Sequence, residues 1–469
     1  VEFLGNVNNT GDIKLYVKAL ISAQITGNGT LYIQGVVPTA ENADVVSTVV
    51  SATGNITEDV AIDLDENGIL QLLGGKATFN SNDNWKGTVL LDDDPDTQTG
   101  ATMVFKDLTS NGSITSTTTG KLSIESSGAE TIFTLEKGSL LNDELQLSIG
   151  QNTKLKLDNY LDDQDAMQVL TLSAGDTWNG TIELVGSSLK TTSDLVANSN
   201  FEFAFNNQLI GDEASIYENS GLNLVIRKDL SLFKGTYNQT ADANNQGGQV
   251  NPDGAPQANA GSLTVYMNNY GDNENNNGKM FTGTKNINSG TVTIYDGGTN
   301  YYNEKDKTAY YGGFVLGANT QYTNYSAGGS VKLDIVKFAD AGTGAVALFT
   351  NLTDSNESAN AEYNLHAYTS TGENIISFRN SNVTLKDTDY SDKTNYTFGL
   401  NTLVNTQDNE LKSYNFETLT LTDNAKFNID IDMKKVVDGA KFPVPADDTA
   451  DVVADTFKVG ANSAGNFII

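Results

Sequence analysis

Acidic side chains are the groups in this chain most able to do chemistry, because carboxylate oxygens bind hard cations. The run Asp92-Asp93-Asp94-Pro95-Asp96 places carboxylates at alternate positions of a short turn. A solvated acidic turn is the favoured interpretation. The alternative is a calcium site formed by Asp92, Asp94 and Asp96.

A second acidic stretch, residues 63–68, reads D-x-D-x-N-G and matches the first half of a calcium-binding loop. The twelfth position of such a loop carries a bidentate Glu, but Gly74 stands there. An ordinary turn is therefore expected after a short strand.

Catalytic constellations are hard to build from this composition. His366 is the single histidine, so a zinc site with two or three histidines is excluded. No serine lies in a G-x-S-x-G setting, and residues 363–368 around His366 read as a strand. Paired carboxylates could serve glycoside hydrolysis, but 59 acidic residues make any pair uninformative. We therefore predict no active site and no cofactor.

The charge balance limits the partners that this chain can bind. It has 59 Asp and Glu against 28 Lys and Arg, a net charge of −31. Nucleic acids and anionic membranes are disfavoured because their binding depends on Lys and Arg. The chain has no cysteine and no apolar run long enough for a membrane span. It begins at Val1 without a signal peptide, which we interpret as a processed, mature segment.

A repeated phrase, W-x-G-T-[VI]-x-L, must position whatever the chain presents. It begins at Trp85 and Trp178, the only two tryptophans. Shorter copies, each a turn residue followed by alternating apolar and polar residues, start at Gly29, Gly120, Gly261, Gly290, Gly329 and Asn382. Alternation with period two indicates strands with one buried face. A strand of this kind buries its apolar face by stacking on the next copy, which is the logic of a solenoid.

The fold prediction is accordingly an all-β, elongated, right-handed parallel β-helix with protruding loops and about twenty residues per turn. Residues 12–24 also fit a short amphipathic helix, although strand is preferred. We divide the chain into an N-terminal part of the helix (1–237), a polar loop or hinge (238–260), a C-terminal part (261–415) and capping rungs (416–469). A tyrosine cluster between residues 295 and 325 is expected to stack inside, with an exposed contact surface as the alternative.

The C-terminal residues carry a family resemblance. F-N-I-D-I-D at 427–432, A-D-T-F-K-V at 454–459 and G-N-F-I-I at 465–469 resemble the end of autotransporter passenger domains. G-N-G-T-L-Y-I-Q-G at 27–35 is similar to repeats of such passengers, including surface-layer members. The resemblance implies a right-handed β-helix whose last rungs cap it and seed its folding after export. Family members continue into a membrane anchor, whereas this chain ends at Ile469. We therefore expect either a passenger separated from its anchor or a different anchor.

Together these features predict a non-enzymatic structural or adhesive protein of the Gram-negative cell surface. Self-association into a surface layer or fibre is expected, because the end rungs of a solenoid leave strand edges open. A host or glycan ligand is a further expectation. The alternative function is a β-helical enzyme acting on polysaccharides, or a glycan-binding module.

Overall fold

The computed structural model describes residues 1–34, 48–160, 167–242, 259–267, 273–296, 309–316, 321–326, 331–338, 346–351, 362–365, 373–406, 411–422, 425–428 and 456–459. Short gaps within these ranges fall at 17, 23, 81–82, 117–119, 129, 136–138, 142–143, 197–199 and 205. The described residues form strands and turns without a helix. Accordingly, none of them belongs to a helix that could cross a membrane.

The strands are short and follow one another closely. Up to residue 192 they are β1 (Glu2–Phe3), β2 (Val7–Asn9), β3 (Asp12–Leu15), β4 (Ala19–Ile21), β5 (Ile25–Gly27), β6 (Thr30–Ile33), β7 (Thr48–Ala52), β8 (Ala61–Leu64), β9 (Gly68–Leu73), β10 (Lys76–Phe79), β11 (Asn84–Trp85), β12 (Thr88–Asp92), β13 (Ala101–Lys106), β14 (Thr109–Ser116), β15 (Gly120–Glu125), β16 (Thr131–Leu135), β17 (Leu145–Ile149), β18 (Thr153–Asp158), β19 (Val169–Leu172), β20 (Thr177–Trp178), β21 (Thr181–Val185) and β22 (Ser188–Thr192).

From residue 201 onward they are β23 (Phe201–Phe203), β24 (Gln208–Gly211), β25 (Ile216–Ser220), β26 (Asn223–Ile226), β27 (Thr236–Thr240), β28 (Ser262–Met267), β29 (Lys285–Ile287), β30 (Thr291–Asp296), β31 (Ala309–Leu316), β32 (Gln321–Ser326), β33 (Val331–Phe338), β34 (Val346–Asn351), β35 (Glu362–Leu365), β36 (Asn374–Arg379), β37 (Asn382–Leu385), β38 (Asp389–Phe398), β39 (Leu403–Asn405), β40 (Ser413–Leu421), β41 (Lys426–Asn428) and β42 (Thr456–Val459).

The chain forms two compact units. The first comprises residues 1–198 and 205–218, and the second comprises 199–204 and 219–469. In the first unit a 10-stranded sheet, the first-unit sheet, has the order β1-β4-β7-β9-β12-β14-β16-β18-β21-β24. Smaller sheets run β10-β13-β15-β17-β20 and β3-β6-β8-β11. In the second unit a 10-stranded sheet, the second-unit sheet, has the order β23-β26-β28-β30-β32-β34-β36-β38-β40-β42.

Every strand pairing described within these sheets is parallel, so each strand lies beside the equivalent strand of the preceding or following coil. Side chains therefore stack in columns. One inward column runs through Ala19, Val50, Leu70, Val89 and Ile114, each at most 2% exposed. Full burial of one such aliphatic side chain stabilises by about 1.5–3 kcal/mol. The stack thus builds its core one coil at a time.

This architecture confirms the all-β, parallel prediction and is consistent with a β-helix. The predicted strands after Gly29, Gly120, Gly261, Gly290, Gly329 and Asn382 are β6, β15, β28, β30, β33 and β37. Residues 12–24 contain strands β3 and β4, so the helix alternative is wrong. The right-handed sense of the coil stays a prediction.

Glycine stands at two of these turns because the backbone there adopts a positive φ, as predicted. Gly261 and Gly290 adopt φ values of 69° and 73°, which side chains rarely tolerate. A Cβ at Gly290 would also collide with the carbonyl oxygen of Gly261 in the coil before it. The coil length is less regular than expected. Residues linked from coil to coil are 21 apart for Ile62 and Asp83 but 29 apart for Leu147 and Asp176.

Parts of the predicted domain division lie outside the described residues. These include most of the loop at 238–260 and, in the cap, residues 423–424, 429–455 and 460–469. Strand β27 reaches Thr240, and β40, β41 and β42 occupy the described parts of the cap. The division into four segments stays a prediction.

Candidate functional site

The second-unit sheet carries no Asp or Glu in three registered columns across its strands β28, β30, β32, β34 and β36. Its outward residues alternate with core residues such as Leu263, Val265, Val292 and Ile294, all 0% exposed. On β28, β30, β32, β34 and β36, the positions in register with these outward residues fall into three columns. These are Ser262–Thr291–Gln321–Val346–Ile375, Thr264–Thr293–Thr323–Leu348–Ser377 and Tyr266–Tyr295–Tyr325–Thr350–Arg379. We call these positions the outer strip, and no Asp or Glu occupies any of them.

Two apolar side chains of the outer strip are open to solvent. Leu348 is 41% exposed and Ile375 is 44% exposed, on neighbouring registered strands. Burying exposed apolar surface of this kind contributes about 25 cal/mol per Å². The strip therefore combines neutral hydroxyl groups with apolar surface that a partner could cover.

Both arginines of the chain border the outer strip. Arg379 ends its third column and is exposed. Arg227 follows β26, and its guanidinium carbon lies 4.0 Å from the centroid of the Tyr266 ring. The Arg227 side chain also donates to the Glu202 carboxylate and to the Asn276 amide oxygen. Arg227 is thus held in place with its charge balanced at the edge of the strip.

Tyr266 and Tyr295 stack on one another along the strip. Their ring centroids are 4.9 Å apart, the planes differ by 11°, and both side chains are half-buried. Because Arg227 covers one face of Tyr266 and Tyr295 the other, Tyr266 offers an edge rather than an open face. Of the tyrosine cluster predicted between 295 and 325 to stack inside, Tyr295 does stack on Tyr266, but on the outward face and half-buried, so the inward prediction is wrong for this residue. The side chains of Tyr301, Tyr302, Tyr310, Tyr311, Tyr322 and Tyr325 lie outside the described residues.

The predicted acidic cluster is engaged within the protein. Asp92 ends β12 and accepts a hydrogen bond of 2.8 Å from the Gln71 side-chain amide. Asp94 accepts from the backbone N–H groups of Asp96 and Thr97. The Asp96 contact holds the pKa of the Asp94 carboxyl below its usual value. In the part of the chain that the structure describes, no three His, Cys, Asp or Glu groups are arranged to hold a metal ion. Calcium at Asp92, Asp94 and Asp96 stays a prediction.

The other candidate residues have simpler positions. Residues 65–68 form the predicted turn, in which Asp65 accepts from the backbone N–H of Asn67 at 3.0 Å. Asp63 accepts from the Asn84 side chain at 3.0 Å, across to the next coil. His366 lies outside the described residues.

The two W-x-G-T-[VI]-x-L segments support corners of the coils. The sequence shows that the segments recur but not which groups they contact. Trp85 donates to the carbonyl of Gly87 at 2.9 Å, and Trp178 donates to that of Gly180 at 3.0 Å. Two residues before each tryptophan stands an aspartate, Asp83 or Asp176. The recurrence of D-x-W-x-G was the available signal for a shared role.

Each of these aspartates ties two coils together. Asp176 accepts from the N–H of Leu147 in the preceding coil at 2.6 Å and from the N–H of Ser173 at 2.7 Å. Asp83 accepts in the same way from Ile62 and Asn80. Burial raises the pKa of Asp83 to about 6, against the opposing effect of its two hydrogen bonds. Burial also raises the pKa of Asp176. These perturbed carboxyls serve the framework.

A buried cation also serves the framework, in the second unit. Lys285 is 0% exposed, and its ammonium donates to the carbonyls of Phe281 at 2.9 Å and Gly283 at 2.6 Å. Burial lowers the pKa of Lys285 to about 7. Sequence reasoning missed it because a lysine opening a strand looks like a surface residue.

Sequence reasoning also missed the outer strip, although a signal existed. Gly261-Ser-Leu-Thr-Val-Tyr and Gly290-Thr-Val-Thr-Ile-Tyr share one frame, and both arginines follow alternating segments. Comparison with protein-family models, with curated proteins and with solved structures finds no match for this chain. The candidate site therefore rests on its own geometry.

Proposed function

We propose that this chain is a non-enzymatic structural or adhesive protein of the bacterial cell surface that self-associates through its outer strip. The observation that carries the proposal is a strip without Asp or Glu on a molecule whose net charge is −31. Two such molecules repel each other wherever carboxylates meet. The strip is where two copies can approach without that cost. The resemblance to autotransporter passengers supports the surface location and the export route.

The occupant of the strip is a second copy of the chain, bound strip to strip. An acidic face would meet Arg379 as the single cationic residue among the strip positions, because the charge of Arg227 at the edge is balanced by Glu202. Contact between two strips covers Leu348 and Ile375 on both sides, which are 41% and 44% exposed. An interface that uses the same patch twice is the usual basis of a twofold dimer. Layers or fibres require a further contact.

A glycan ligand has weaker support from this surface. Sugar rings stack on open aromatic faces, whereas both faces of Tyr266 are covered by Arg227 and Tyr295. Self-association is therefore the function that the strip favours.

The test places one carboxylate in the strip and one outside it. Thr293 on β30 and Thr181 on β21 are both half-buried, outward-facing threonines of a ten-stranded sheet. Thr293→Glu puts two opposing carboxylates into each strip-to-strip contact. We expect it to weaken association by at least about tenfold, which corresponds to about 1.4 kcal/mol.

Thr181→Glu is the matched control, since it adds the same charge and the same loss of strand propensity. It should associate like the original chain in sedimentation equilibrium. Circular dichroism verifies that both variants fold. Equal association of the two variants, or a chain that is monomeric at every concentration, contradicts the proposal.

A further inference from the structure

Tyr266 and Tyr295 are placed for a reaction as well as for packing. They are registered partners on parallel strands β28 and β30, so their side chains leave the sheet in the same direction. The ring centroids are 4.9 Å apart and the planes are within 11° of parallel. The two phenol rings are therefore held face to face on neighbouring strands.

We propose that Tyr266 and Tyr295 form an oxidative cross-linking site, which joins β28 to β30 by a dityrosine bond. A phenol that loses one electron and its hydroxyl proton becomes a radical with spin density on its ortho carbons. Because the two rings are held face to face, two such radicals are placed to couple with each other. The chain has no cysteine, so a covalent link between coils needs another side-chain chemistry.

The reaction balances with hydrogen peroxide as the oxidant, used by a haem peroxidase. Each phenol gives one electron and one proton, and one peroxide molecule takes both pairs and becomes two water molecules. A carbon–carbon bond forms between one ortho carbon of each ring. The hydrogens on those two carbons then move to the phenolic oxygens and restore both aromatic rings. The product lacks two hydrogen atoms relative to the starting chain.

Tyr266 and Tyr295 differ from another close tyrosine pair in solvent exposure and in ring orientation. Tyr390 and Tyr396 have centroids 5.5 Å apart, but both are 0% exposed and their rings lie at 82°. Oxidants that act from solvent cannot reach them, and their rings are not stacked face to face. Tyr266 and Tyr295 are half-buried, so their edges remain open to solvent. Tyr390 and Tyr396 therefore provide the internal control.

The experiment treats the full chain, at a concentration where it is monomeric, with a haem peroxidase and hydrogen peroxide. We expect dityrosine fluorescence with a yield that does not depend on protein concentration. After proteolysis, the peptides containing Tyr266 and Tyr295 should be joined and lighter by two hydrogen atoms. Tyr266→Phe and Tyr295→Phe, which each keep a stackable ring, should lose most of the signal.

Tyr396→Phe is the control and should keep the signal of the original chain. The inference is overturned if no dityrosine forms, if Tyr266→Phe cross-links like the original chain, or if the joined peptides exclude either residue. Because the reaction lies within one chain, its outcome is independent of whether copies associate through the outer strip.

Discussion

The outward faces of the two ten-stranded sheets differ, although their inward faces are built alike. On the first-unit sheet, Lys154 pairs with Glu183 at 2.9 Å and Lys156 with Asp158 at 2.6 Å. On the second-unit sheet, the outer strip carries hydroxyl, aromatic and aliphatic groups up to Arg379. The inward side chains make the coils stack, and the outward side chains determine which partner surfaces the stack can contact.

The cores of the two units both contain stacked aromatic rings. In the first unit, Trp85 stacks on Phe133 with centroids 4.9 Å apart. In the second unit, Phe378 lies between Phe349 at 4.8 Å and Phe398 at 5.6 Å. Changing the aromatic stack of one unit and leaving that of the other intact should therefore affect the two units differently.

The largest expected effect comes from removing that support. Phe378→Ala should destabilise the second unit by about 3–5 kcal/mol, since a fully buried ring is lost from a packed stack. It should also abolish association, because Ser377 and Arg379 of the outer strip flank Phe378. Trp85→Ala should cost a similar amount in the first unit and leave protection of the second unit unchanged. Hydrogen exchange, resolved by peptide, measures both units in one sample.

A pH effect of about 2 kcal/mol is expected in the second unit from Lys285. Its pKa is lowered from 10.5 to about 7, so above pH 7 the unfolded chain binds more protons than the folded chain. Stability of the second unit should therefore rise between pH 7 and 9. Lys285→Met should remove that rise, and hydrogen exchange of the second unit at each pH supplies the measurement. An unchanged slope in the variant would refute the assignment.

The first unit should respond to pH in the opposite direction, through Asp83. Its pKa is raised from 3.8 to about 6, so between those values the folded chain binds more protons. Stability therefore rises as pH falls from 6 to 4, by about 1 kcal/mol for this partly buried group. The comparison of the original chain with Asp83→Asn isolates the contribution, because other carboxyls titrate in both. A carboxyl that titrates near 4 by NMR spectroscopy would rule this out.

The smallest effect is expected on the charged face. Lys154→Met removes the ion pair with Glu183, whose side chains are 25% and 24% exposed. Such half-exposed pairs contribute about 0–1 kcal/mol, and salt screens them. Denaturant unfolding should show a loss within that range, and association should be unaffected. Weaker association of Lys154→Met would show that the charged face takes part in the contact.

Much of the fold could be predicted from sequence because inward positions obey a simple rule. Alternation at residues 291–296 predicts β30, and the glycine before it predicts the turn. The candidate site could not be read in the same way, because register decides which outward residues become neighbours. Tyr266 and Tyr295 are far apart in the chain, and only the intervening turn lengths place them side by side.

Buried ionisable groups were the other limit of sequence reasoning. Asp83 and Lys285 look like solvated charges in the sequence, since such residues are rarely buried. Their burial follows from backbone groups at the corners that need a partner, which becomes visible only with coordinates. In the acidic run, the Asp92 carboxylate accepts from Gln71 and the Asp94 carboxylate accepts from its own turn, contacts that the sequence does not reveal.

Sedimentation equilibrium of the original chain at increasing salt tests whether two copies associate through their outer strips. Contact between strips without carboxylates on molecules of charge −31 is opposed by repulsion over the rest of the surface. Salt shortens the range of that repulsion to about 10 Å at 0.1 M, so the association constant should rise as salt is added. An association constant that falls with salt would mean that opposite charges hold the copies together, and it would contradict the account.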